Sequence, residues 1–173
     1  MKQVCWQDII EEHGSVVWKV AYRLLGNDAD AADCFQDVLL ATVKLSREQT
    51  IRNYPALMVR LATTRAIDRL RQRTREDRIK QIGDYPPSFS AHQTPDQVAQ
   101  QQDLLAALRI ALGQLPSNQA EAFCLKHFQG MSQKQIGRVL GISANAVGVL
   151  VHRARVRLEE IMTPNLDSLS EVR

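Results

Sequence analysis

Ser132-Gln133-Lys134-Gln135-Ile136-Gly137-Arg138-Val139-Leu140-Gly141-Ile142-Ser143 decides how this chain folds. Ser132 and Gln135 have capping-box spacing, a hydroxyl at the N-cap and an amide three residues later. Ile136, Val139 and Leu140 then give a short helix one apolar face. Gly141-Ile142-Ser143 is a tight turn, with a glycine that tolerates positive φ and a second N-cap in Ser143. A longer helix follows, with Val147, Val151, Ala154, Leu158 and Ile161 on its inner face. Helix, three-residue turn, helix is a geometry that projects the start of the second helix into a DNA major groove.

Working outward, Ala144, Asn145, Gly148, Val149 and His152 fall off the buried face of that second helix. Asn145 and His152 suit base edges and Val149 a thymine methyl. Lys134, Arg153, Arg155 and Arg157 suit phosphates, which fix register without reading sequence. Residues 126–158 hold six Lys and Arg and no acid. A second basic run, Asp68-Arg69-Leu70-Arg71-Gln72-Arg73-Thr74-Arg75, closes a helical pattern that begins near Pro55, and residues 60–80 carry eight cations against three acids. Residues 1–46 reverse the balance, with four cations against seven acids. The net charge of +3 is modest, so the segregation carries the information: two surfaces for a polyanion and one acidic surface for a protein.

Only 5% of residues are aromatic, and Ala, Leu, Gln and Arg abound, which favours helices over sheets. Ile9, Ile10, Val17, Val20, Ala21, Leu24 and Leu25 recur at helical spacing and stop at Gly26. Asn27 or Asp28 can cap the next helix, in which Phe35, Val38, Leu39 and Thr42 form one face and Asp33, Gln36, Asp37 and Leu40 another. Residues 46–54 are expected to be a loop, and a third helix with Met58, Leu61, Ala62, Ala66 and Leu70 to run to about Arg75. Gly83, Pro86, Pro87 and Pro95 erase helical periodicity, which predicts a flexible linker. The expected architecture is all-α: a helical domain over 1–78, a linker over 79–95, a helix-turn-helix domain over 96–162 and a loose tail over 163–173.

Three widely spaced cysteines, the lack of a basic-then-apolar start and the lack of a membrane-length apolar run predict a reduced, cytoplasmic protein without membrane insertion. Cys124 and His127 lie three apart but have no second pair, so no metal and no cofactor are expected. His13, His92, His127 and His152 show no ligand spacing, and the acids do not converge, so an enzyme is not expected.

Leu115-Pro116, Gly130-Met131-Ser132, Ile136-Gly137, Leu140-Gly141-Ile142-Ser143 and Val151-His152-Arg153-Ala154-Arg155 resemble region 4 of the sigma-70 family of RNA polymerase sigma factors. Independently, Tyr22-Arg23-Leu24-Leu25-Gly26-Asn27, Asp30-Ala31-Ala32-Asp33-Cys34-Phe35-Gln36-Asp37-Val38 and Ala66-Ile67-Asp68-Arg69-Leu70-Arg71 resemble region 2. Two such blocks in that order, with nothing else between, are the layout of the extracytoplasmic-function (ECF) subgroup. The resemblance implies that Asp33, Gln36, Asp37 and Leu40 bind the clamp helices of the largest subunit of core RNA polymerase. It implies that region 4 also meets the flap of the second-largest subunit. Arg60, Thr64, Arg65, Asp68, Arg69 and Arg71 would engage the promoter −10 strand. Lys134, Ser143, Ala144, Asn145, Gly148, Val149, His152, Arg153 and Arg155 would read the −35 duplex. Many such relatives respond to a signal and are held inactive by an anti-sigma factor wedged between the two domains.

The chain departs from its relatives in places. Leu57-Met58 stands where many have Trp-Leu, Thr64 where Asn is frequent, Gly148-Val149-Leu150 where a Lys-Ser-Arg run is common, and Ala120 where Arg is common. Gly148 costs roughly 1 kcal/mol against Ala inside a helix, so either a close backbone approach or a protein interface is expected there. The competing expectation is a dimeric helix-turn-helix regulator, with residues 1–75 as its dimerisation or sensor module.

Overall fold

A computed structural model describes the backbone of residues 5–82 and 97–170, and the side chains of 5–79 and 101–163. Every regular element among them is a helix: α1 (Trp6–Leu25), α2 (Asp28–Glu48), α3 (Tyr54–Ile82), α4 (Gln97–Gln114), α5 (Ser117–His127), α6 (Gln133–Leu140) and α7 (Ala144–Ser170). Gly26 ends α1 at φ 78°, its N–H donating to the Tyr22 carbonyl. Asn27 then caps α2, its side-chain oxygen accepting the Asp30 N–H at 2.9 Å. Asn53 does the same for α3, accepting from Ala56 N–H at 3.0 Å, with Pro55 inside the first turn.

Three boundaries differ from expectation. α2 continues to Glu48, where the Gln49 N–H still reaches the Leu45 carbonyl, so the α2–α3 loop is residues 49–53 rather than 46–54. α3 passes Arg75 and reaches Ile82, into the stretch expected to be linker. Its last turns carry an i,i+4 bond from Gln72 to Glu76 at 2.9 Å, a local support for a solvent-facing helix. The rest of that expected linker lies outside the described residues. α7 runs to Ser170 through the start of the expected tail, and the Thr163 hydroxyl donates to the Glu159 carbonyl at 2.6 Å.

Helices α1–α3 bury Val17, Val20, Ala21, Leu24, Ala31, Cys34, Val38, Met58, Ala62, Ala66 and Ile67 against one another. The helix-turn-helix has a second small cluster, Leu125, Ile136 and Val147, flanked by Met131, Val139, Leu140 and Val151 and by Val59 of α3. The two helical units also meet through buried apolar residues. Ala111, Leu112, Leu115, Ala120, Cys124, Ala154 and Leu158 belong to the same continuous core as α1–α3.

Gly113 explains how closely α4 crosses α3. A Cβ built there would lie 2.6 Å from Thr74 Oγ1 and 2.9 Å from the Leu70 carbonyl oxygen. Alanine normally gains about 1 kcal/mol over glycine in a helix. Overpacking against a backbone atom costs about 1–3 kcal/mol, so the clash wins. Gly113→Ala is therefore expected to lower the melting temperature, and a rise in circular-dichroism melts would contradict the crossing.

Candidate nucleic-acid interface

The turn is built as its residues dictate. Ser132 and Gln135 form a reciprocal capping box, the Ser132 N–H donating to Gln135 Oε1 at 2.8 Å and the Gln135 N–H to Ser132 Oγ at 3.3 Å. Gly141 takes φ 71°, and both its N–H and that of Ile142 reach the Gly137 carbonyl. A Cβ at Gly137 would stand 2.7 Å from the Ile142 carbonyl oxygen, so the turn folds back on α6 only over a glycine. Ser143 Oγ accepts the Ala146 N–H at 3.1 Å and opens α7.

Asn145, Val149, His152, Arg153 and Arg155 are exposed on α7, and Lys134 on α6. Val149 keeps 48% of its surface, too much for a core residue. Ser143 is exposed but spends its oxygen on the cap, and Ala144 is half-buried. Arg155 pairs with Glu159 at 2.8 Å along the helix. A Cβ at Gly148 would stand 3.2 Å from the amide nitrogen of the exposed Gln133 side chain, which needs to shift by only a few tenths of an ångström to admit it.

The second basic run behaves differently. Arg69 turns onto α2, 2.9 Å from Asp37, 3.5 Å from Asp33 and 3.8 Å from Asp30. Burial alone lowers its pKa, but the Asp37 hydrogen bond and the Asp37 and Asp33 charges outweigh that and hold it raised. Arg73 pairs with Asp30 beside it. Arg60 donates to the Val139 carbonyl at 2.9 Å and faces Glu121 at 3.4 Å, while the Thr64 hydroxyl lies within donating distance of both the Glu121 carboxylate at 2.8 Å and the Arg60 carbonyl at 3.0 Å. Arg71 donates to the Ser117 hydroxyl. Arg65 and Asp68 are exposed, with no hydrogen bond or ion pair among the described residues.

Along α2, Asp33, Gln36 and Leu40 are exposed in one stripe, with Leu40 70% exposed. Asp37 shares that stripe but leans to Arg69. Sequence placed the two basic runs apart; the fold brings them together. Arg71, Arg75 and Arg78 of α3 and Arg157 of α7 line one cleft of about 440 Å³.

Two contributors escaped the sequence reading. Glu121 bridges α5 to α3, and Arg109 of α4 donates to the Leu24 and Arg23 carbonyls at the end of α1. Glu121 had a legible signal, being the one acid between Asp103 and Glu159. Arg109 had none, since its partners are backbone atoms 85 and 86 residues away.

Cys34 and Cys124 are buried and Cys5 is exposed. Cys34 donates to the Ala62 carbonyl at 3.7 Å, and burial pushes its pKa up to about 11. Burial raises the Cys124 pKa further. Burial, with help from Lys126 and Arg155, lowers that of His127, whose ring lies 4.5 Å from that of Phe123. Among the described residues no helix is long and apolar enough to cross a membrane.

An all-helical chain with a capped helix-turn-helix and cations along its second helix belongs to the class of DNA-binding transcription proteins. Residues 9–76 match the family described as sigma-70 region 2, and residues 105–158 that described as sigma-70, region 4. The ECF RNA polymerase sigma factor SigL of Mycobacterium tuberculosis is 30% identical over 88% of this chain and 88% of its own length. CarQ of Myxococcus xanthus, an RNA polymerase sigma factor, is 29% identical over 92% of this chain and 90% of its own. SigE of Mycolicibacterium smegmatis, an ECF sigma factor, is 27% identical over 91% of this chain, which spans only 61% of that relative. CnrH, solved in complex with the cytosolic domain of CnrY, shares the fold with a TM-score of 0.57 and 22% identity, over 92% of this chain and 88% of its own. The Bartonella quintana sigma factor RpoE, solved with the anti-sigma factor NepR, gives a TM-score of 0.53 and 20% identity over 91% and 96%. The chain belongs to the ECF subgroup of the sigma-70 family of RNA polymerase sigma factors. Region 2 thus occupies the residues that the competing expectation gave to a dimerisation or sensor module.

Proposed function

We infer that this chain is the promoter-specificity subunit of a cytoplasmic RNA polymerase holoenzyme, signal-responsive and without a catalytic centre of its own. It joins core polymerase through the Asp33, Gln36, Asp37 and Leu40 stripe and engages the −10 strand through Arg60, Thr64, Arg65, Asp68 and Arg71. Arg69 contributes to the same helix by bracing it on α2. The −35 duplex is read from Lys134 and from the first turns of α7, where Asn145, Val149 and His152 face bases and Arg153 and Arg155 face phosphates. The observation that carries this is the start of α7: capped at Ser143, with Asn145, Val149, His152 and Arg153 exposed. An anti-sigma factor, the kind of partner seated on RpoE in the solved complex, is part of the proposal. Leu104, Leu105 and Ile110 support it as exposed apolar positions on α4.

Pull-down with core polymerase, followed by run-off sequencing of transcripts on fragmented genomic DNA, tests the proposal. Reproducible start sites sharing two spaced elements are expected; none with any template sinks it. On a promoter found this way, Asn145→Ala is expected to cost about 1–3 kcal/mol and relax preference at one −35 base. Arg153→Ala is expected instead to weaken all sequences alike and to reduce the salt slope of log K by about 1. Filter binding or anisotropy of the holoenzyme across a salt series separates the two.

A further inference from the structure

Arg71, Arg75 and Arg78 stand at i, i+4 and i+7 on α3 and so share one face of it. Arg157 of α7 meets them across the cleft of about 440 Å³. Like charges at such spacings repel, and a solvated helix face normally interleaves acids among them. Here four guanidinium groups stand against one carboxylate, that of Glu160. The partners these arginines do have are neutral: Arg71 donates to the Ser117 hydroxyl, and Arg78 to the Gln114 amide oxygen at 3.3 Å. Arg75 and Arg157 have no hydrogen bond or ion pair among the described residues. By contrast, Arg69 and Arg73 of the same helix are paired with carboxylates of α2.

We propose that this cleft binds a short chain of phosphates, either free inorganic polyphosphate or the phosphate tail of a nucleotide. Guanidinium groups offer phosphate oxygens paired, charge-assisted donors, and four of them around one space match a multivalent anion. The volume lies within the range of about 300–1,000 Å³ usual for small-molecule sites. No aromatic side chain lines the cleft, and Ile161 supplies its one apolar side chain, so a base has no surface to stack on. The phosphates alone are therefore recognised. Arg75, Arg78 and Arg157 are not among the promoter-contacting residues proposed above, so the site stands apart from that reading and shares only Arg71 with it. Its walls come from α3, α4 and α7, so an occupant touches both helical units and stabilises the folded chain as its concentration rises. Glu160 opposes the same occupant.

The test titrates the full-length chain with sodium tripolyphosphate by calorimetry, at fixed ionic strength and without magnesium. One saturable site is expected, together with a melting temperature that rises with tripolyphosphate concentration. Arg78→Gln and Arg157→Gln should each weaken binding about tenfold, the loss of one charge-assisted contact. Glu160→Gln should tighten it several-fold. Arg153→Gln makes the same charge change on exposed α7 outside the cleft and should leave binding unaltered. Adenosine and cytidine triphosphates should bind alike and no more tightly than tripolyphosphate. Equal affinity admits either source of phosphates, and triphosphates weaker by about tenfold assign the site to the inorganic chain. A nucleoside triphosphate that binds where tripolyphosphate does not would show base recognition and overturn the proposal. Equal losses from Arg153→Gln and Arg157→Gln would overturn it as well, since they mean diffuse attraction. Displacement of tripolyphosphate by a short DNA duplex at equal phosphate concentration would make the cleft part of the DNA surface, and a lack of saturable binding would end the proposal outright. The substituted arginines and Glu160 are exposed, and circular-dichroism melts of the unliganded variants check that each folds.

Discussion

Leu112→Ala is expected to destabilise the whole chain by about 2–5 kcal/mol, the range for a leucine truncated in a core that relaxes only partly. Leu112 is 1% exposed and lies on α4, yet it belongs to the cluster that contains Leu24, Met58, Ile67 and Leu70 from α1 and α3. A cavity there has walls from both units. It cannot close by a shift within one helix pair, because Gly113 beside it already holds α4 against the Leu70 backbone. For a protein of this size about 1 kcal/mol moves the melting temperature by roughly 2–4 °C, so a fall of about 4–20 °C should be visible. Calorimetry should show one transition moving as a unit. Two transitions, with only the later-sequence one displaced, would contradict a shared core. Ile136→Ala provides the contrast, since Ile136 sits in the satellite cluster with Leu125 and Val147 and its loss should be felt first in the helix-turn-helix.

Sequence made the local chemistry legible and left the long-range chemistry dark. Caps, stops and the helix-turn-helix were readable because each rests on a few neighbouring residues: Gly26 with Asn27, Ser132 with Gln135, Gly141 with Ser143. Apolar periodicity likewise anticipated the buried faces at Val17, Val38, Met58, Ala66, Val147 and Ala154. Periodicity cannot say which helix faces which. Leu104 and Leu105 fit the helical pattern as well as Leu112, but at 42% and 44% exposure they lie outside the core. The basic runs looked like two separated grips because charge patterning has no sense of distance; Arg71 and Arg157 line the same cleft. Arg69 looked free for phosphate, whereas three carboxylates of α2 surround it, a pairing across 32 to 39 positions that no local rule reports. That ring of charges ties α2 to α3 and so fixes the direction in which the α2 stripe looks out.

Leu40→Asp is expected to reduce association with core polymerase about 10- to 100-fold while leaving the fold intact. Leu40 is the most exposed large apolar residue among those described, at 70%, and no packing inside the chain accounts for it. Surface substitutions of this kind usually change stability by less than about 0.5 kcal/mol. A central apolar residue at an interface, ringed by polar groups that exclude water, typically costs about 2 kcal/mol or more when lost. Asp33 and Gln36 supply such a ring on one side, and Asp37 stands beside them, partly neutralised by Arg69. An added carboxylate at position 40 does not remove the long-range attraction of an acidic face for a cationic partner, so the association rate should hold or rise slightly at low salt. The dissociation rate should carry the loss, because it reports the desolvated contact. Asp33→Asn should do the opposite, slowing association and flattening its salt dependence with little effect on dissociation. Surface plasmon resonance against immobilised core polymerase at two ionic strengths resolves both rates. If Leu40→Asp binds as the unaltered chain does, the α2 stripe is not the docking face, and the charges that Arg69 gathers serve the three-helix unit alone.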